Sequence, residues 1–206
     1  MKFKNKPSEK ATLQDGRIVY LSRSVAVVGT ICLFKDKVPY FLIGKRGKGS
    51  ADYQGLYNLV CGYLDFDEDS SEAFIRETYE ETGVNILDVK KSCKKIIHDF
   101  TKEVWDVKSE PNENRQNISL HHGLVGVVKE LPITNISNEV EQDEVEEVLW
   151  VRYDEINNYE FAFNHLERIE KFVKFVDNKL IENVHLGKFP RDKWKKYFIN
   201  KKWFDE

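Results

Sequence analysis

Cysteine is scarce in this chain. Cys32, Cys61 and Cys93 are the only three in 206 residues, they are widely spaced, and no Cys-x-x-Cys pair occurs. That excludes a disulfide framework, offers no zinc-ligand spacing, and points to a reducing cytoplasm. Long apolar runs are lacking as well. The longest, residues 25–34, is interrupted by Gly29 and Thr30, whereas a bilayer span takes about 20 apolar residues, so no transmembrane helix and no membrane partner are expected. Residues 1–7 carry lysines but no apolar core behind them, which excludes a secretory signal. Charge of one sign is not in excess: the formal net charge is −3, too small to draw the whole molecule to nucleic acid or to an anionic membrane. What is present, 41% hydrophobic and 33% charged residues, suffices for the core of one domain.

The order of patterns is mixed. The β-branched run 24–34 reads as a buried strand, 35–37 as a short polar break, and 38–43 as its hairpin partner. Residues 44–53 hold three glycines and the charged Lys45, Arg46, Lys48 and Asp52, and read as an exposed loop. A short strand is expected over 57–64. A helix then spans 70–82, because Asp69 is a good N-cap, Glu72 stands at capping-box spacing, and Gly83 supplies the stop. Strand patterns return at 85–89, 92–100, 118–128 and 145–151, with a polar loop at 109–116 around Pro111. Helical spacing takes over at 161–184 and 191–199. This order implies an α+β fold, an α/β/α sandwich with a mixed sheet plus C-terminal helices. The expected organisation is an N-terminal arm (1–20), a main domain (21–160), and a helical extension (161–206) packed on it.

The informative stretch is 62–84, GYLDFDEDSSEAFIRETYEETGV. At about 100° per residue, Glu77, Glu80 and Glu81 share one helix face, with Ala73 among them and Arg76 on the flank. Phe74, Ile75, Thr78 and Tyr79 form an adjacent stripe suited to packing on a sheet. Like charges at i,i+3 and i,i+4 cost a few tenths of a kcal/mol per pair, so the helix is locally frustrated unless a cation sits there. Hard divalent cations take oxygen ligands, and Mg²⁺ is typically shared between carboxylates and phosphates. On the Glu-Thr-Tyr-Glu-Glu run alone, a solvated acidic face is the simpler reading.

The wider spacing changes that balance. Gly62, five residues, Glu68, seven residues, Arg76-Glu77, two residues, Glu80-Glu81, one residue, Gly83-Val84 resembles the signature of the Nudix hydrolase family over its whole length. Seven such positions would coincide by accident in roughly one start per 10⁸. Leu59-Val60-Cys61 replaces the Leu-Pro-Gly usual before the motif glycine, and Thr78 stands where an aliphatic residue is common. No charged position is lost. The resemblance implies a Nudix-like sandwich. The implied activity is hydrolysis by water of the pyrophosphate in a nucleoside diphosphate linked to another group, with Mg²⁺ or Mn²⁺ as cofactor. Glu77, Glu80 and Glu81 would hold metal, joined by Glu68 and the Gly62 carbonyl. Glu77 or Glu81 would receive a hydrogen bond from the attacking water, and Arg76 would fix a neighbouring carboxylate by an ion pair. Of the acidic residues before the last strand, Glu144 is the first choice for a further ligand or base and Glu141 the second. Arg46 and Lys48 would meet substrate phosphates, Arg being suited to bidentate contact. Tyr63 is an aromatic candidate for substrate contact.

A nucleotide sugar or an ADP-ribose-like molecule is the favoured substrate, although the neighbourhood of residues 99–102 has neither the Pro of the ADP-ribose type nor the Tyr of the diadenosine-polyphosphate type. Two other functions fit the same motif: a nucleotide-sensing regulator, and an enzyme that processes RNA ends. His121 and His122 are adjacent in a strand and so point to opposite faces. His165 reads as structural at the start of a long helix. The basic, aromatic tail reads as a docked helix with Trp194, Tyr197 and Phe198 inward rather than as a nucleic-acid patch. The resemblance leaves a homodimer open.

Overall fold

The computed structural model describes residues 9–21, 24–111, 116–136, 143–188 and 190–200. Strands β1 (Glu9–Thr12) and β2 (Ile18–Leu21) form a separate two-stranded sheet where the arm was expected to lack regular structure. The main sheet begins with β3 (Ser24–Lys35) and β4 (Val38–Arg46). They make the expected hairpin, closed by Asp36 and Lys37, both at positive φ (49° and 67°), as a two-residue turn with the native strand twist requires. The expected strand at 57–64 is two: β5 (Tyr57–Asn58) pairs with β4, and β6 (Val60–Tyr63) with β3.

Helix α1 (Ser70–Thr82) has the predicted bounds. Residues 85–89 are not a strand. Asn85 caps Leu87 and Asp88 and starts helix α2 (Ile86–Ser92), a local side-chain-to-backbone bond that competed successfully with the β pattern. Next come β7 (Lys95–His98), β8 (Asp106–Pro111), β9 (Gln116–Val127) and β10 (Val145–Arg152). β8 extends through residues expected to be loop because it finds a ladder partner in β9. Helix α3 (His165–His185) is followed by the short α4 (Arg191–Trp194) and a 3-10 turn over Lys195–Tyr197.

The sheet order is β10-β4-β3-β9-β7. It is mixed because β3 and β9 are parallel while the remaining pairs are antiparallel. Alternation along β3 divides the core in two. Val27, Ile31 and Leu33 pack with Phe74 of α1 and Ile86 of α2. Val28, Cys32 and Phe34 pack with Ile169, Phe172 and Val176 of α3. The result is helix, sheet, helix, with α3 as one whole layer of the sandwich. Gly29 of β3 has no room for a β-carbon because Phe74 fills that space, which seats α1 closely on the sheet. On α1 the buried residues are Ala73, Phe74, Thr78 and Thr82. Tyr79, expected on the packing stripe, is half exposed. The tail docks as expected, with Trp194 and Phe198 buried against Leu180 and the Lys95 ammonium over the Trp194 ring. Among the described residues no helix is long and apolar enough to cross a membrane.

Candidate functional site

The acidic helix is fixed at both ends. The Asp69 side chain accepts from the amides of Ser71 and Glu72 (2.7 and 3.0 Å), and the Glu72 carboxylate accepts from the Asp69 amide (2.8 Å), closing a capping box. Gly83, at φ 68°, ends the helix by donating to the Tyr79 carbonyl at 2.8 Å. Capping of α1 is thus done by Asp69, and Glu68 is left for another partner.

That partner is Arg76. Its Nε and Nη2 donate to the two oxygens of Glu68 (3.0 and 2.7 Å), a bidentate pair. Nη2 also donates to the Tyr63 carbonyl (3.0 Å). Nη1 donates to Glu77 Oε1 (2.8 Å) and Glu80 Oε2 (2.9 Å). One guanidinium therefore ties three carboxylates to strand β6, where the sequence suggested a single ion pair. Gly62 lies directly under this cluster. All three atoms of the Glu77 carboxyl group fall within 3.0 Å of where a β-carbon on Gly62 would stand. Only a glycine lets the backbone approach the acid so closely.

The electrostatics separate the acids. The Arg76 hydrogen bonds hold Glu68 below the ordinary carboxylate range. Burial pushes Glu77 up, with Arg76 opposing it. Burial pushes Glu81 well up, and the charge of Glu77 adds to it; the Cys61 amide, 3.5 Å from Glu81 Oε1, and Arg46 only partly offset this. Two carboxyl groups that water no longer solvates, set against each other, form a place where a cation is favoured. Every side-chain donor in the cluster is an oxygen, which suits a hard divalent ion. Among the described residues no three acidic, histidine or cysteine side chains converge as metal ligands; Arg76 instead gathers Glu68, Glu77 and Glu80.

Beside this cluster opens a cleft of about 590 Å³. Glu81, Gly62, Cys61, Tyr63 and Glu144 line its acidic part. Glu144 is held there by the loop after β4: the amides of Gly47 and Gly49 donate to the carbonyls of Glu144 and Asp143 (2.7 and 2.8 Å), and Ser50 Oγ donates to the Glu144 carbonyl (2.9 Å). Gly47 has no space for a β-carbon because the Asp143 carbonyl occupies it.

Arg46 also lines the cleft. It belongs to strand β4 and not to the loop expected from residue 44 onward, since β10 pairs with Gly44, Lys45 and Arg46. Its Nε and Nη2 donate to the Asp52 carbonyl and carboxylate (2.9 and 3.0 Å), and its guanidinium carbon lies 4.9 Å from the centre of the Phe163 ring. Lys48 is exposed and is not part of the cleft wall. Glu68, Arg76, Glu77 and Glu80 stand beside the cleft and not on its wall. Glu141 lies outside the described residues.

The sequence reading missed the other walls: Asn117, Ser119 and His121 from β9, Phe161 and Phe163 from the segment before α3, and Arg168 from α3. His121 faces the cleft. His122, as alternation demands, faces the other layer, its Nε2 3.0 Å from Ser70 Oγ and its Nδ1 3.2 Å from the Phe100 carbonyl. His165 is buried, opens α3, and accepts the Leu59 amide on Nδ1 at 2.9 Å.

The sequence profile of the NUDIX domain matches residues 23–172. The chain belongs to the NUDIX family. Solved structures of similar fold include the NUDIX domain of Shewanella oneidensis NrtR complexed with ADP ribose (TM-score 0.56, 16% identity, covering 74% of this chain and 88% of that one). Another is a bifunctional NMN adenylyltransferase/ADP ribose pyrophosphatase from Francisella tularensis complexed with AMP and a Mn ion (TM-score 0.55, 20% identity). That match covers 75% of this chain but only 42% of the Francisella protein. A third is a C. elegans Ap4A hydrolase binary complex (TM-score 0.53, 15% identity, covering 74% and 97%). No curated protein sequence matches this NUDIX chain.

Proposed function

We propose that this protein is a metal-dependent hydrolase that cleaves the pyrophosphate of a nucleoside diphosphate joined to a second group, a nucleotide sugar or an ADP-ribose-like molecule. The observation that carries this reading is the meeting, in one cleft, of Glu81, Gly62 and Glu144 with the cation Arg46, while Glu77 presses against Gly62 and shares its field with Glu81. ADP ribose in the Shewanella relative, and AMP with a Mn ion in the Francisella protein, support the choice of substrate class and of a divalent ion.

Glu77, Glu80 and Glu81 would hold Mg²⁺ or Mn²⁺, with Glu68 and the Gly62 carbonyl beside them and Glu144 or Glu141 as a further ligand or base. The bound ion would neutralise charge on the phosphate oxygens as the bond to phosphorus breaks. Arg76 acts as a positioning residue, keeping Glu68, Glu77 and Glu80 from flying apart. Arg46, steadied by Asp52 and backed by Phe163, offers its charge to a substrate phosphate. Glu81, on the wall itself, accepts a hydrogen bond from the attacking water and orients it. Tyr63 covers the same end.

The test is a screen of the purified protein against nucleoside triphosphates, nucleotide sugars, ADP-ribose, NADH, diadenosine polyphosphates and capped RNA. Each is run with Mg²⁺, Mn²⁺ or EDTA, and the products are identified by mass. Cleavage at a pyrophosphate that EDTA abolishes is expected. Glu81→Gln should lower turnover at least about a hundredfold with the fold intact. Binding of a nucleotide without any turnover would replace the enzyme with a sensor.

A further inference from the structure

Strand β9 lies inside the sheet between β3 and β7, where both faces are covered and apolar residues are expected. At Leu124 and Val125 that expectation holds. Over residues 117–121 one face departs from it: Asn117, Ser119 and His121 alternate with Ile118 and Leu120, and all three line the cleft. Ser119 and His121 are 7% and 1% exposed. The side-chain oxygen of Asn117 is buried with no hydrogen-bond partner among the described residues. Placing such groups in a sheet interior costs free energy unless something supplies their partners, and an unmet acceptor calls for a hydroxyl or an amine.

The same cleft carries Tyr53 and Phe163, from two different loops. Their ring centres are 4.7 Å apart at an interplanar angle of 68°. Both residues are in the left-handed region (φ 52° and 55°), which bulky side chains rarely enter and which clusters at ligand sites. Arg46 lies over Phe163, so a phosphate on Arg46 brings whatever is attached to it alongside these rings.

We propose that the part of the cleft beyond Arg46 is a nucleoside-reading subsite, in which Tyr53 and Phe163 hold the planar base and Asn117, with Ser119 and His121 beside it, hydrogen-bonds the sugar hydroxyls. The polar row on β9 coincides with the cleft and stops where the core begins. The aromatic pair supplies the stacking surface that a base requires and a simple diphosphate does not. The assignment rests on the hydrolase reading for the direction in which the phosphates point.

Calorimetric titration of the full chain in Mg²⁺ with AMP, ribose 5-phosphate and inorganic pyrophosphate tests it. Tyr53→Ala and Phe163→Leu should weaken AMP at least tenfold and ribose 5-phosphate less than twofold. Asn117→Leu should weaken both at least fivefold. Tyr53→Phe should restore AMP binding, and pyrophosphate should bind all variants alike. Tyr53 is half exposed, so its variant has no core to lose. AMP affinity within twofold of wild type in both Tyr53→Ala and Asn117→Leu, each with an unchanged thermal midpoint, would overturn the subsite. If nucleotides are still hydrolysed in that case, the hydrolase reading survives alone. If no substrate is turned over yet AMP binding follows Tyr53 and Asn117, the subsite survives alone.

Discussion

Replacing Gly62 by alanine isolates the contact between backbone and acid. Gly62 is not among the residues at positive φ, so alanine there strains no backbone dihedral and the whole effect is steric. The new methyl would stand within 3.0 Å of Oε1, Cδ and Oε2 of Glu77. A relaxed non-bonded separation is about 3.5–4.0 Å, so the carboxyl group must retreat by about 1 Å. Glu77 ends in a rotatable group, so the fold yields cheaply and should lose no more than about 1–2 kcal/mol. Function should not yield. Moving the acid breaks its 2.8 Å bond to Arg76 and shifts it against Glu81. A misplacement of that size in a reacting site costs about a hundredfold, or about 2.7 kcal/mol in kcat/KM. Steady-state hydrolysis of the substrate found by screening, measured beside a urea denaturation curve, reads both quantities. A Gly62→Ala enzyme within threefold of wild type would refute the argument that this glycine exists to admit Glu77.

Arg76→Gln removes the charge that three carboxylates share. Because the guanidinium is 28% exposed and Glu80 46%, the loss is discounted to about 2 kcal/mol in urea denaturation, with at least a tenfold fall in kcat. His165 is held neutral by burial and by the nearby His121, Arg46 and Arg168, which push its pKa down to about 3. Its contribution is therefore complete above the unfolded value of about 6.5 and is lost as pH falls toward 3. The stability gap between wild type and His165→Gln should shrink by about 2 kcal/mol between pH 7.5 and pH 5, and a constant gap would contradict it. Asp177 runs the other way. Burial lifts its pKa to about 6 although the amides of Ile199 and Asn200 donate to it (3.0 and 3.1 Å), so its contribution grows as pH falls from above 6 toward 4. Asp177→Asn should flatten that rise in thermal midpoint and speed hydrogen exchange at Ile199.

Local signals were legible and tertiary ones were not. The bounds of α1 follow from Asp69, Glu72 and Gly83, three residues whose chemistry acts within one turn of the chain. The β3–β4 hairpin was equally plain. Residues 85–89 misled because their alternation imitates a strand, while the decisive event, the Asn85 side chain capping two amides, is a single local bond. Arg46 was placed in a loop because the glycines around it are loop-formers. The strand continues only because β10, a hundred residues later, offers it a ladder.

The site divides along the same line. The acidic motif sits on one helix, so its spacing alone put Glu77, Glu80 and Glu81 on a face and Arg76 at the flank. The reach of Arg76 to Glu68 crosses eight residues and a loop, and only the folded chain shows that one guanidinium serves all three acids. The rest of the cleft comes from elements scattered between residues 26 and 168, and no spacing rule joins them. One trace was nevertheless present in the sequence. A central strand that reads Asn-Ile-Ser-Leu-His keeps period two but reverses the usual polarity of one buried face. Such a strand either faces water or faces something that replaces water. Because β9 is flanked on both sides and covered by α3, solvent is excluded over most of its length, and the polar row has a physical reason to persist only where the cleft admits a ligand.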